Sequence, residues 1–374
     1  MGTGMPPDHL NWQDGYMIRT IKVGIILGGM LISIVLAACG CQNQSGPTPT
    51  VRTEPNVAAQ KTETPQTETP QSPPDESQAG VDLTLQFSPG STATYRTVVE
   101  QGKSVGWQGA ESTKPKGFED GHTDNRIEIT FDQSILKVDP VGDAVARITI
   151  VGLKYFSRVH NEVGVDFDST RPADKDNPLA RLIGQSYQIK LSRRGDMLGI
   201  VEAMQARFAV PANSAGYQIA QRMLSDDIIR ERHTVAALAA LKEDRVQPGQ
   251  SWSSEKSFSF SWMGSRSFER VYTLKGVSEG DGGPRAVVEM KAIPAAGQQT
   301  QGLPATGPFA GAFDNTSSYE GQCVFDLEKG RVRESTEQMH SEWVMMDPEA
   351  LQNGSVPGAV KMTANWSRRL ELVK

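Results

Sequence analysis

Gly184-Gln-Ser-Tyr-Gln-Ile-Lys-Leu191, followed by Ser-Arg-Arg-Gly-Asp196, places Tyr187, Ile189 and Leu191 on one side of a period-two pattern and then turns. Strict alternation of apolar and polar residues is the signature of a half-buried strand, and a polar cluster containing Gly ends it. Arg194-Gly-Asp196 therefore reads as a hairpin turn, not as an adhesion tripeptide. The same period recurs in Ile127, Ile129 and Phe131; in Val163, Val165 and Phe167; in Phe258, Phe260 and Trp262; and in Cys323, Phe325 and Leu327. It recurs again in Met362, Ala364, Trp366, Leu370 and Leu372, with Arg368 interrupting the set. Turns rich in Gly, Asp and Pro separate the runs, as in Asp139-Pro-Val-Gly-Asp143 and Glu279-Gly-Asp-Gly-Gly-Pro284. One-sided alternation joined by short turns gives a mainly β protein, a large antiparallel curved sheet or half-barrel with one face covered. The absence of a strand–helix–strand rhythm excludes a doubly wound α/β enzyme.

A two-helix insertion interrupts the pattern around residues 213–241. Asn213 or Ser214 can cap a helix to about Leu224, and Ser225 or Asp226 can open a second one to Leu241. The pair is expected to cover an open face or edge of the sheet, helped by a short helical piece near 178–183. The flanks of this insertion are alike. Phe87-Ser-Pro-Gly90 leads to Tyr95 as Val246-Gln-Pro-Gly249 leads to Trp252. Gly184–Leu191 with its Gly195 turn matches Gly321-Gln-Cys-Val-Phe-Asp-Leu327 with its Gly330 turn. Two matched anchors in the same order suggest two pseudo-repeated halves.

Outside this region the chain changes character. Arg19 and Lys22 precede an apolar run of about 16 residues from Val23 to Ala38, short for a spanning helix that needs about 20. A basic flank, a short apolar run and small residues at its end describe a secretory signal. An uncleaved anchor helix is the alternative. Pro6, Pro7, Asp8 and Asp14 do not suit a signal, so translation is expected to start at Met17. From Gln42 to Gly80 the chain is rich in Pro, Thr, Gln, Ser and Glu, with Thr62-Glu-Thr-Pro-Gln66 repeated at 67–71. Such a stretch cannot bury enough apolar surface to offset its ordering entropy. It reads as a spacer of roughly 40 Å as a coil, or about 120 Å if extended throughout. A proline-rich ligand is the weaker alternative, because no repeated P-x-x-P with basic flanks is present. The domains are thus 1–38, leader and signal; 39–80, anchor and tether; and 81–374, the β-rich part.

Leu36-Ala37-Ala38-Cys39 resembles the lipobox of bacterial lipoproteins. That resemblance implies cleavage between Ala38 and Cys39, and a membrane partner reached through diacylglyceryl and acyl chains on Cys39. It also implies a periplasmic or external location, with Gly40 favouring an outer membrane where the host has one. Together with the tether, the Pro-Gly-x4-Tyr opening and the Tyr187 hairpin, the chain resembles a family of uncharacterised bacterial lipoproteins. A more distant architectural likeness is to the lipoprotein-carrier half-barrel, a curved antiparallel sheet with helices plugging its concave side. Neither likeness implies an activity.

The 374 residues are 37% hydrophobic and 22% charged, with three Cys and a net charge of −6. A mean hydropathy of −0.41 excludes a multispanning membrane protein, and three Cys exclude a disulfide-dense scaffold. The acidic balance excludes a nucleic-acid partner. Half of that charge lies in the tether, where Arg52 and Lys61 face five carboxylates.

Chemistry is sparse. Gly276-Val-Ser-Glu-Gly280 matches the nucleophile-elbow pattern, but a turn and no helix follows Ser278. His122, His160, His233 and His340 are isolated, and His233, among Arg230, Glu231 and Arg232, reads as solvated. Asp166, Asp168, Asp174 and Asp176 could supply calcium ligands, but Arg171 and Lys175 among them favour a solvated acidic loop. Cys323 reads as a buried inert thiol, with a bridge to Cys41 as the alternative. No catalytic residue, metal ligand or cofactor is assigned. The aromatic stripe Phe258, Phe260 and Trp262 is either core lining or the apolar ligand face of a curved sheet. The expected function is non-catalytic: a lipid-anchored envelope domain with a binding or structural role. The first alternative is a carrier or sensor of an apolar small molecule on the concave face, and the second is a hydrolase. An envelope protein is the other candidate partner.

Overall fold

The computed structural model describes residues 80–114, 116–260, 265–280, 282–295, 313–346 and 358–374. The chain divides into units Met1–Leu36 and Ala37–Lys374, and every described residue belongs to the second. Cys39, Ala38, Cys41, the tether and Trp262 lie outside the described residues.

The elements run β1 (Val81–Asp82), β2 (Thr92–Gln108), β3 (Gly121–Val138), β4 (Ala144–Val159), β5 (Glu162–Asp168), β6 (Ser186–Leu191) and β7 (Met197–Val201). Helices α1 (Ala203–Phe208), α2 (Gly216–Met223), α3 (Asp226–His233) and α4 (Ala236–Ala239) follow. The chain then returns to strands with β8 (Arg245–Val246), β9 (Ser251–Ser259), β10 (Ser265–Gly280), β11 (Gly283–Pro294), β12 (Phe313–Asp326), β13 (Arg331–Met346) and β14 (Ala359–Leu372).

Twelve strands form one antiparallel sheet in the order β7-β6-β4-β3-β2-β14-β13-β12-β11-β10-β9, with β5 beside β4. The order follows the chain around a circle that is open at one seam, between β7 and β9. The chain therefore meanders outward from β2, crosses the seam through its helices, and meanders back until β14 pairs β2. The sheet is strongly curved. Strands β9 and β14 are five positions apart, about 24 Å in a flat sheet. Yet the Phe258 and Trp366 rings are 5.5 Å apart, centroid to centroid.

The period-two residues face the concavity. Ile129, Phe131, Tyr187, Ile189, Leu191, Cys323 and Phe325 are buried there, as are Met362, Ala364, Trp366 and Leu370. Val163 is the exception and is exposed, because β5 pairs only with the outer part of β4. Arg368 does not leave the apolar face of β14: it is 8% exposed and keeps the inward parity of Trp366 and Leu370.

The helical insertion is four short helices rather than two. Ser225 caps α3 by accepting from the Ile228 amide, as its sequence predicts. The helix expected to reach Leu241 stops at Thr234, whose backbone is extended (φ −74°, ψ 129°). The next amide, that of Val235, bonds to the Gly195 carbonyl in the β6–β7 turn, so a tertiary partner takes the donor that a helix would use. Helix α3 spans the seam: Arg230 donates to the Met197 carbonyl on β7, and Lys256 on β9 pairs with Glu231 at 2.8 Å.

The two halves share backbone detail. Gly90 and Gly249 have φ of +83° and +85°, which favours Gly. The Gly90 amide bonds to the Ile135 carbonyl and the Ile135 amide to the Ser91 carbonyl; Gly249, Leu274 and Gln250 make the same pair of bonds. In both halves the next strand then bulges, at Ile135/Lys137 and at Leu274/Gly276.

Candidate functional site

The inner face is built in two styles. On the β9–β14 side it is aromatic and charged. Phe258 and Phe260 are 2% and 3% exposed, and Phe258 makes edge contacts with Phe268, Tyr319 and Trp366, as does Phe260 with Trp343. The described rings of the predicted ligand face are thus packed against one another, and the cavity described below is lined by other residues. The Lys256 ammonium lies 4.0 Å from the Trp366 ring centroid. Glu337 accepts from the Tyr319 hydroxyl and lies 3.6 Å from Arg270. Burial alone would raise the Glu337 carboxyl, but Lys256, Arg270 and Arg368 hold it below the usual carboxylate range. Arg368 donates to the Arg232 carbonyl at 2.7 Å, a cation at the C-terminal end of α3 that suits the helix dipole. Cys323 is a free buried thiol that burial pushes up to about 12, well away from a reactive thiolate.

At the end of the sheet where β2 and β13 begin, the interior is not filled. Residues 83–93 run across the open end of the sheet as a strap. The Leu85 amide bonds to the Arg193 carbonyl in the first half, and the Gln86 amide bonds to the Gly330 carbonyl in the second. Gly330 allows this crossing, since a Cβ there would meet Gln86 at 2.4 Å. Beneath the strap lies a cavity of about 380 Å³. Leu85, Phe87, Phe131, Ile135, Leu191 and Leu370 supply apolar walls. Tyr95, Gln133, Arg232, His233 and Arg331 are among the polar groups inside, and Glu328 and Lys329 stand exposed at the rim with Ser88 and Ser91.

His233 is 7% exposed and lines this cavity, against the expectation that it is solvated. It shares the inward face of α3 with Ile229, one turn earlier, and its ring packs edge-on to Phe131 at 5.0 Å. Its Nε2 lies 2.8 Å from the Tyr187 hydroxyl, which also receives a bond from Arg232 at 3.3 Å. The Tyr187 hydroxyl accepts from Arg232, and its own proton is free to go to Nε2 when the ring proton sits on Nδ1. Burial, with Arg232 and Arg368 nearby, holds His233 well below its ordinary range, so the ring is neutral. In that tautomer Nδ1 is a donor without an acceptor among the described residues. Arg331 is a second unsatisfied group: its Nε is buried without a hydrogen-bond partner. Tyr95 stacks on Phe131, and burial pushes its hydroxyl up to about 12, so it stays a neutral donor.

The remaining sequence candidates do not converge. Ser278 is exposed on β10, opposite Arg285 in a hairpin, and no strand-to-helix elbow is formed. Arg171 pairs with Asp166 at 3.0 Å and Asp174 at 2.6 Å, and Asp168 accepts from Thr170, so an arginine occupies the middle of the acidic loop. His340 and Glu342 do share a face, at 3.8 Å, but Lys361 takes the same carboxylate at 2.7 Å. No group of three or more metal-ligating side chains occurs among the described residues.

No family profile matches the chain, and no curated protein matches it. Among solved structures, lipovitellin, described for its lipid–protein interactions, is similar over 77% of this chain at 11% identity and a TM-score of 0.37. This chain spans 26% of that one. Pseudomonas aeruginosa OpdL is similar over 76% of this chain and 99% of its own, at 10% identity and a TM-score of 0.15.

Proposed function

We propose that this chain is a bacterial envelope lipoprotein, anchored through Cys39, whose β-rich domain binds an apolar small molecule without catalysing a reaction on it. The observation that supports binding is the 380 Å³ cavity beneath the 83–93 strap, whose walls combine apolar side chains with convergent polar groups. Its size falls in the range of about 300–1,000 Å³ typical of small-molecule sites. The lipobox-like Leu36-Ala-Ala-Cys39 and the tether support the anchoring. Two acyl chains make such attachment stable, and an extended tether leaves the domain free to reach ligand in the envelope. Gly40 favours an outer membrane.

Each part of the reading has its own test. Metabolic labelling with palmitate is expected to mark the chain and to be lost in Cys39→Ala; label that survives the substitution removes the anchor. Native mass spectrometry of the purified full chain is expected to find a co-purified apolar molecule that is lost in Ala93→Phe, which fills the cavity. An unliganded wild-type chain after gentle purification removes the ligand-binding reading.

A further inference from the structure

The polar groups of the cavity specify more than an apolar ligand, and their chemistry deepens the reading just given, on which this step rests. A purely apolar occupant would dry the site around the free edge of the His233 ring and the Arg331 guanidinium without giving either a partner, at the desolvation cost of a buried polar group. His233 offers its Nδ1 proton while its other nitrogen is bound to Tyr187. Arg331 offers a guanidinium with a buried, unpartnered Nε and no ion pair among the described residues. Both residues line the cavity, and Arg331 can only donate there. The surrounding interior has the same sign. Arg232, Lys256, Arg270 and Arg368 are buried on or behind the inner face, against the carboxylates of Glu231, Glu337 and Asp326, while Glu328 at the rim stands beside Lys329. Cationic groups within low-dielectric walls favour an anion over a neutral head. Leu85, Phe87, Ile135, Leu191 and Leu370 supply hydrocarbon walls, and Ser91, Thr92 and Gln133 add neutral polar groups beside them.

We propose that the cavity selects an amphiphile with one acyl chain and an anionic head, with Arg331 as the counter-charge and the His233 Nδ1 proton as a hydrogen-bond donor to the head. A fatty-acid carboxylate and the phosphate of a single-chain phospholipid share this chemistry. The apolar walls hold the chain, and the two donors fix its direction in the cavity.

Photolabelling of the full chain in phosphatidylcholine nanodiscs tests this, using a palmitic acid that carries a diazirine near its chain end. Reading the label by mass spectrometry, peptide by peptide, separates the cavity from the bilayer. Label is expected on peptides containing residues 85–93 or Phe131. Unlabelled palmitate or lysophosphatidylglycerol should compete it away, with neutral monopalmitoylglycerol about tenfold weaker, as expected for a hydrogen bond to a charged group. The better competitor of the two anions identifies the carboxylate or the phosphate as the preferred head. Arg331→Gln is expected to lower cavity labelling about tenfold at unchanged melting temperature, and Arg331→Lys to restore most of it. Equal competition by the neutral lipid, or undiminished labelling of Arg331→Gln, overturns the head-group assignment while leaving an apolar cavity in place. Absence of label on every cavity peptide overturns both.

Discussion

The β9–β14 interior and the interior under the strap both bury charged and polar side chains, and they differ in whether the charges are paired and the space beside them is filled. On the β9–β14 side the acidic groups are matched. Lys256 meets Glu231, Arg270 and Tyr319 meet Glu337, and Arg368 closes the end of α3. The aromatic rings between them touch one another. Under the strap, the Arg331 Nε has no hydrogen-bond partner among the described residues, one edge of the His233 ring is left unengaged by Tyr187, and the space beside them is open. A paired buried network in a filled interior is a device for fixing the fold, since removing one member strands the others. Unpaired donors beside a cavity are a device for holding something else.

The comparison can be broken most sharply at Glu337. Replacing it by Ala leaves Arg270 and Arg368 without their buried counter-charge and is expected to cost about 3–5 kcal/mol in denaturant unfolding. A cost below about 1 kcal/mol would place the network outside the determinants of stability.

The second prediction concerns pH and separates the two interiors by their titrating groups. His233 is held well below its ordinary value of 6.5, so between that pH and its folded value the unfolded chain binds a proton that the folded chain refuses. Stability is then expected to fall as pH drops below about 6.5, by about 1.4 kcal/mol per pH unit. Glu231 and Glu337 are depressed, so their contribution persists above the ordinary carboxylate range and is lost only at lower pH. Unfolding measured from pH 7 to 5 should lose its slope in His233→Gln; a slope that remains assigns the proton to another group.

A smaller effect sharpens the likeness between the halves. Gly90→Ala and Gly249→Ala place a Cβ in open space at positive φ, so each pays only the left-handed backbone penalty of about 1–2 kcal/mol. The two costs should agree within about 0.5 kcal/mol, and a clear inequality would show that one turn bears more of the fold. The smallest expected effect is at Arg331, where the absence of a protein partner predicts a change within about 0.5 kcal/mol for Arg331→Gln. A loss above about 2 kcal/mol would show a structural role for a residue here assigned to the ligand.

The sequence carried much of the fold, because a strand writes its burial into every second residue. Tyr187, Ile189 and Leu191 faced inward as their alternation required, and the Pro-Gly anchors led to matched backbone bonds. Arg368 was legible only as an interruption, since its parity was right and its polarity wrong. Its reason is the Arg232 carbonyl, from a helix more than a hundred residues away in the chain. His233 was misjudged because Arg230, Glu231 and Arg232 make its helix look solvated, whereas Glu231 and Arg232 themselves have partners in the interior. The signal that could have corrected it was Ile229, four residues earlier and on the same face.

By itself the sequence determined the antiparallel sheet and the cap of α3 at Ser225, and it supplies the motif on which the proposed anchor at Cys39 rests. Each follows from local periodicity, a single side chain or a contiguous motif. Only the tertiary structure decided that the sheet curves until β9 meets β14, that the strap crosses from one half to the other, and that His233 and Arg331 share a cavity. Those features join residues far apart in the chain, and they arise from closing a sheet around helices rather than from any local preference.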